Sequence, residues 1–340
     1  MRAPRDSNLL SRTDYNGTRI ADPVTKLTRS PNMKIELDGL RHLQRPTLEK
    51  ICTDCARLVG PQGKPVEDVL ATVSGFRFMK DERFDDDFGQ TVGSRARAGK
   101  TIPARGPGGV TSTVIIPERT LGFSVVLCDG RSQDELPELE RSIISHEIGH
   151  AWDCFVRDVV LPDDMTEKAL LATPFRIDAT AKYFSQRLGF ELAACANSAR
   201  AFSAKLLSEC NARVWTWTVE SRKRIDREFA DLRSGKVDTH RASHFVNAEL
   251  WDVLTEWAKT LATVAANDPL ADGCEHPWVG TRWENTLRQH LEVVRSLVRR
   301  YPEWPDDAMV PIQDVWRTFG AEIFNCRFVD GDSEDRVVRD

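Results

Sequence analysis

The chain has 340 residues, 41% hydrophobic and 29% charged, with a formal charge of -5 and a pI near 5.9. That balance describes a soluble globular protein large enough for one big domain or two ordinary ones. It excludes nucleic acid as the main partner, which would need a basic face, and no apolar run nears the roughly 18 residues of a spanning helix, so no membrane partner is expected.

Residues 1 to about 33 are polar and read as a mobile tail. They hold scattered arginines but no apolar central region, so they are not a secretory signal. This points to a cytoplasmic protein, while leaving open export by a machine that reads polar N-termini, as for a toxin or effector. Eight cysteines are scattered along the chain, a pattern that fits reduced thiols better than a disulfide framework. Cys52 and Cys55, in "CTDC", have no second pair and read as two thiols on one helix. From about 35 to 60, Leu48, Ile51, Cys52, Cys55 and Leu58 fall at helical spacing, ending at Gly60. A strand-and-helix stretch, "VEDVLATVSGFRFM", follows. Residues 81–113 read as a solvated loop, with an acidic triplet at Asp85 to Asp87 and then a basic, glycine-rich half.

"TSTVIIPE" and "GFSVVLCDG" are rich in β-branched and aromatic residues and read as strands. "SQDELPELERSIISHEIGHAWDCFVRDVV" reads as a helix capped by Ser132 or Asp134, with Pro137 in its first position. From about 166 to 330 the pattern is helical, with apolar stripes at Leu250, Val253, Leu254, Trp257 and Leu261, and at Trp283, Leu287, Leu291, Val294 and Val298. The nine tryptophans are expected mainly in core. The fold class is therefore α+β and predominantly helical. A strand-bearing lobe spans 34–160, with a helix at about 137–157, and a larger helical lobe spans 161–330. Residues 331–340 form a short tail.

Within that helix "HEIGH" sets His146 and His150 four residues apart, hence one above the other on one face. Both imidazoles can then reach one ion at about 2.0–2.1 Å. Glu147, about 100° round the helix, can act as general base toward water that a metal has made acidic. This is the HExxH arrangement of metallopeptidases. The flanking Ile144, Ser145, Ile148, Ala151 and Trp152 are uncharged, as a buried helix with one polar face requires. Gly149 costs about 1 kcal/mol against Ala in a helix, which hints at a close backbone approach. An upstream edge strand would suit an extended peptide substrate.

"HEIGHAWD" resembles the active-site helix of the zincin metallopeptidases, and within them the gluzincin branch that includes anthrax lethal factor and the proline-specific clostridial endopeptidases. The resemblance covers eight to twelve residues. It implies a zincin-like catalytic core and a zinc endopeptidase, with His146 and His150 as ligands to Zn2+ and Glu147 as base. Asp153 matches an acidic residue of that motif and reads either as an acceptor that orients a histidine or as a solvated surface residue. A third metzincin histidine would fall at Val156, so that branch is excluded.

In gluzincins the third ligand is a glutamate on a later helix, usually with a small residue three positions on. Glu209 in "SECNARVW", Glu322 in "GAEIFNCRF" and Glu191 in "GFELAAC" are the candidates, with Glu209 preferred. Glu191 follows a glycine that reads as ending its helix. The family also places a tyrosine seven residues before the glutamate to stabilise the oxyanion. Here those positions are Phe202, Val315 and Phe184, none a donor. Tyr183 is the nearest substitute, and His240, His244 or His276 are others. "HRASH" repeats the spacing at His240 and His244, but Arg241 would repel a cation, so it reads as a solvated helix start. The expected function is a zinc metallopeptidase acting on a peptide or protein. Alternatives are an effector-like or regulatory zincin module acting on one partner, and a metal-free helical binding protein.

Overall fold

The computed structural model describes residues 33–40, 43–88, 98–121, 137–160, 174–267, 273–305 and 307–339. Its first lobe is built on strands β1 (Ile35–Asp38), β2 (Val73–Met79), β3 (Lys100–Gly106) and β4 (Gly109–Pro117), with helices α1 (Arg45–Ala56), α2 (Val66–Leu70) and α3 (Asp81–Phe88) between them. The sheet order is β1-β2-β4-β3; β1, β2 and β4 run parallel and β3 is an antiparallel edge.

Alternation along the strands decides what covers each face. Phe76, Phe78, Val114 and Ile116 point to one side and pack with Leu48 and Cys52 of α1 and with Ile144, Ile148 and Trp152 of helix α4 (Glu138–Arg157). Their neighbours Met79, Ile115 and Ile102 point to the other side and meet Phe84 and Phe88 of α3. Pro103 sits in β3, where a residue without an N–H is tolerated because the strand is an edge.

The second lobe is helical: α5 (Ile177–Ser198), α6 (Ala204–Arg233), α7 (Thr239–Ala266), α8 (Glu284–Arg300) and α9 (Val310–Phe324), closed by a hairpin of β5 (Cys326–Val329) and β6 (Arg336–Arg339). Its core is centred on α7, where Leu250, Trp251, Leu254, Trp257 and Leu261 are fully buried and Trp278 and Trp316 close over them. With Trp152 of the first lobe, five of the tryptophans are thus core residues, as expected. The fold is α+β and mostly helical, and among the described residues no helix is long and apolar enough to cross a membrane.

Four expectations are corrected. Residues 35–38 form a strand ahead of the helix that carries Cys52 and Cys55. The 81–113 stretch is not a loop throughout: its second half holds β3 and the start of β4. Its acidic run is α3, where Phe84 buries against the sheet with Phe88 partly buried one turn on, and Asp85 takes two hydrogen bonds from Arg119 at 2.7 and 2.9 Å. Residues 331–340 are not a tail throughout, since β6 pairs with β5 and buries Val337. Pro137 precedes α4 rather than opening it. The 1–32 part of the proposed tail, the strand "GFSVVLCDG" and the caps Ser132 and Asp134 lie outside the described residues.

Candidate metal centre

Helix α4 lies between the two lobes. One side supplies Ile144, Ile148 and Trp152 to the sheet; the other meets α5. A Cβ added at Gly149 would stand 2.7 Å from the Ala194 carbonyl oxygen, so only glycine lets the two backbones come this close. That contact sets Glu191, one turn before Ala194, against the histidine face of α4.

His146 Nε2 lies 3.2 Å and His150 Nε2 3.8 Å from Glu191 Oε2. The three donors lie within 4.8 Å of one another. Ligand atoms around a tetrahedral ion at such bond lengths stand about 3.4 Å apart, so small side-chain rotations close the set. Two imidazoles and one carboxylate are also the donor chemistry that zinc takes at open three-ligand sites. The residues therefore fit the metal.

The third residue is the main difference from the sequence reading. Glu209, on α6, is exposed, because Leu206, Leu207, Asn211 and Val214 take the buried face of that helix. Glu322, on α9, is also exposed and accepts a hydrogen bond from Thr286. Only Glu191 comes to the two histidines. Gly189, read as a helix end, lies inside α5 and makes room for the Met309 sulfur, which a Cβ there would meet at 3.1 Å.

The surroundings of the cluster set its charge. Burial disfavours ionised Glu191, but Lys259, the His146 hydrogen bond and His150 outweigh it and hold the carboxyl well below the usual range. Lys259, on α7, stands 3.5 Å from Glu191 Oε2 and 3.2 Å from Glu256 Oε1. Burial would lower its pKa, yet Glu256 and Glu191 raise it, so it stays an ammonium. Burial likewise opposes protonation of His146, but the Cys195 sulfur, 3.6 Å from its Nδ1, and Glu191 raise the imidazole to about 10. His150 is pushed down to about 3 by burial and by His146 beside it. Its ring stacks on Phe190 with centroids 4.0 Å apart.

Glu147 is 8% exposed. Burial raises its pKa, partly offset by His146 and by Thr101. The Thr101 hydroxyl donates to Glu147 Oε2 at 2.8 Å. A Cβ on Gly99 would fall 2.7 Å from Glu147 Cγ, so that glycine shapes the carboxylate's seat. Farther along β3, Arg105 grips Asp158 at the end of α4, with Nη1 2.7 Å from Oδ2 and Nη2 2.7 Å from the carbonyl oxygen. The edge strand is thereby fixed alongside the helix that carries the histidines.

Asp153 neither orients a histidine nor faces solvent. It is fully buried and takes hydrogen bonds from Arg157, its Oδ1 from Nε at 2.6 Å, while Tyr301 donates to it as well. Asn197 of α5 donates to the same tyrosine oxygen at 2.9 Å, so the network ties α4 to α5. Tyr183, two turns before Glu191, accepts from Arg187 at 3.3 Å. Lys259, Cys195 and Thr101 were not legible as neighbours of the site. Cys195 left a trace in the sequence, being four residues after Glu191 and so on the same face. Lys259 and Thr101 left none, since distant segments deliver them.

No protein-family model matches the chain, and neither does any curated protein or solved structure.

Proposed function

We propose that the protein is a zinc-dependent metallopeptidase of the zincin type, in the gluzincin branch, with His146, His150 and Glu191 holding the metal. One observation carries this reading: the two imidazole nitrogens and the Glu191 carboxylate converge, with Glu147 buried beside them and held by the edge strand. Bound there, zinc would supply Lewis acidity, making water more acidic and polarising the scissile carbonyl.

The chain's own groups account for the rest. Glu147, with its basicity raised by burial, takes a proton from the attacking water as the new C–O bond forms, and delivers it to the amine as the C–N bond breaks. Thr101 fixes that carboxylate, so no reorientation is needed during transfer. Lys259, a cation next to Glu191, is the group we assign to the developing oxyanion in place of a tyrosine. Among the described residues the outer edge of β3 pairs with no strand and offers backbone groups to an extended peptide, which supports a peptide substrate over a small molecule. The described cysteines are free thiols, which supports a reducing compartment such as the cytoplasm.

The test compares wild type with Glu147→Gln on a peptide library. Cleavage that is lost in the variant while zinc content is kept supports the reading. A zinc-loaded wild type that cleaves no library peptide favours action on a single partner protein, and a wild type that holds no zinc defeats the proposal.

A further inference from the structure

We propose a second divalent-cation site, of the zinc class, formed by His240, His244 and Glu334. It does not depend on the peptidase reading. His240 and His244 lie one turn apart in the first turns of α7, with ring centroids 4.6 Å apart. Glu334 comes from the turn between β5 and β6, and its Oε1 lies 2.6 Å from His240 Nδ1. As at the first cluster, the three donors lie within 4.8 Å of one another. His244 is 5% exposed, whereas the side chains of His240 and Glu334 are 38% and 28% exposed, so an ion can enter from solvent.

The turn that delivers Glu334 is held in place. Its Oε1 also accepts from the Phe175 N–H at 3.3 Å, and Phe175 packs edge-on against the His244 ring. The neighbouring Asp335 accepts from the Ile177 N–H at 2.8 Å, at the start of α5, while its own N–H donates to the Phe175 carbonyl at 2.9 Å. The donors come from two elements, the start of α7 and the C-terminal hairpin, and the segment leading into α5 holds the hairpin turn by hydrogen bonds. An ion bound there would cross-link α7 to the hairpin.

Arg241, between the histidines, is the reason the sequence argues against a cation. In the fold it turns away, with Nε 3.9 Å from Glu228. The other nearby cation, Arg176, is engaged with Asp335 and with the carbonyls of Gly331 and Ser333. The positive end of the helix dipole opposes a cation, but Asp238 caps it and accepts from the Arg241 N–H. Because Arg241 stands where Glu147 stands in the first cluster, the second site has no general base beside its first histidine. Its role is to staple, not to hydrolyse. Fifteen residues of α7, about 22 Å of helix, separate His244 from Lys259 at the first cluster.

The test strips the full-length protein with chelator and titrates it with zinc ions alone, reading stoichiometry by equilibrium dialysis. Wild type is expected to bind two equivalents. Glu191→Gln and Glu334→Gln should each bind one, and the double variant none. Cobalt bound to Glu191→Gln should give a visible absorption band that Glu334→Gln, added to it, removes. His240→Asn, at a half-exposed position, repeats the test should Glu334→Gln fail to fold. If Glu334→Gln and His240→Asn bind as much zinc as wild type, the second site is overturned. If instead Glu191→Gln binds as much as wild type while Glu334→Gln loses one equivalent, the peptidase site fails and this one stands.

Discussion

Two pairs of histidines four residues apart occur in this chain, and each meets a glutamate from elsewhere in the fold. At the first, His146 and His150 lie mid-helix and the carboxylate comes from α5; at the second, His240 and His244 open α7 and the carboxylate comes from a hairpin turn. In both, the residue three after the first histidine seats the element that brings the carboxylate. Gly149 admits the backbone of α5 at Ala194, and the Ser243 hydroxyl accepts from the Val337 N–H of β6 at 3.2 Å. They part at the residue directly after the first histidine. Glu147 is buried and held by Thr101, whereas Arg241 is exposed. On the proposed reading, histidine spacing marks half of a metal site, and the neighbouring residue separates chemistry from bracing.

The largest expected difference between the clusters lies at that residue. Glu147→Gln should lower kcat by about 10²–10⁴-fold with zinc content unchanged, while Arg241→Gln should leave peptide cleavage at the wild-type rate. Steady-state kinetics on one cleaved peptide check both. Lys259→Met should lower kcat by about 10²-fold with little change in KM, as expected for a group acting on the oxyanion.

The seating residues should differ in stability. Gly149→Ala forces a Cβ against the Ala194 carbonyl and should cost about 1–3 kcal/mol in chemical denaturation, with weaker zinc binding, because α5 is displaced. Ser243→Ala leaves the Val337 N–H without its acceptor and should cost about 1 kcal/mol. At Cys195, whose sulfur faces His146 Nδ1, the effect is expected on the metal rather than on the fold. Cys195→Ala should weaken zinc about 10-fold through loss of that support.

The pH dependence follows from the first cluster without metal. His146, raised to about 10, is protonated at neutral pH, and His150, lowered to about 3, is not. Zinc binding near pH 7.5 should therefore release about one proton, and the apparent affinity should fall about tenfold per unit as pH drops. The sign reverses for stability of the metal-free chain. The raised His146 stabilises the folded state fully below its unfolded value near 6.5, and that share is lost as pH rises through about 10. Calorimetry in buffers of different ionisation enthalpy reads the first effect, and melting across pH 6–10 reads the second.

Local patterns carried much of this into the sequence. The period of "SIISHEIGHAW" gave a buried helix with one polar face, Gly149 signalled its close approach, and the run of β-branched residues before Pro117 gave β4. What failed was non-local. Gly189 reads as a helix end, yet it makes room for Met309 from more than a hundred residues away, and that misreading favoured Glu209 over Glu191. Glu334 joins His240 across 94 residues, and a four-residue strand such as β6 is too short for a periodic signal. Thr101 and Lys259 reach the first cluster through sheet and helix packing that no local window contains.

The central claim is that Glu191 completes the site begun by "HEIGH". Equilibrium dialysis of zinc against chelator-stripped wild type, Glu191→Gln and Glu209→Gln tests it most directly. Glu191→Gln should lose one equivalent, with Glu209→Gln indistinguishable from wild type. Loss in Glu209→Gln with full binding by Glu191→Gln would contradict the account.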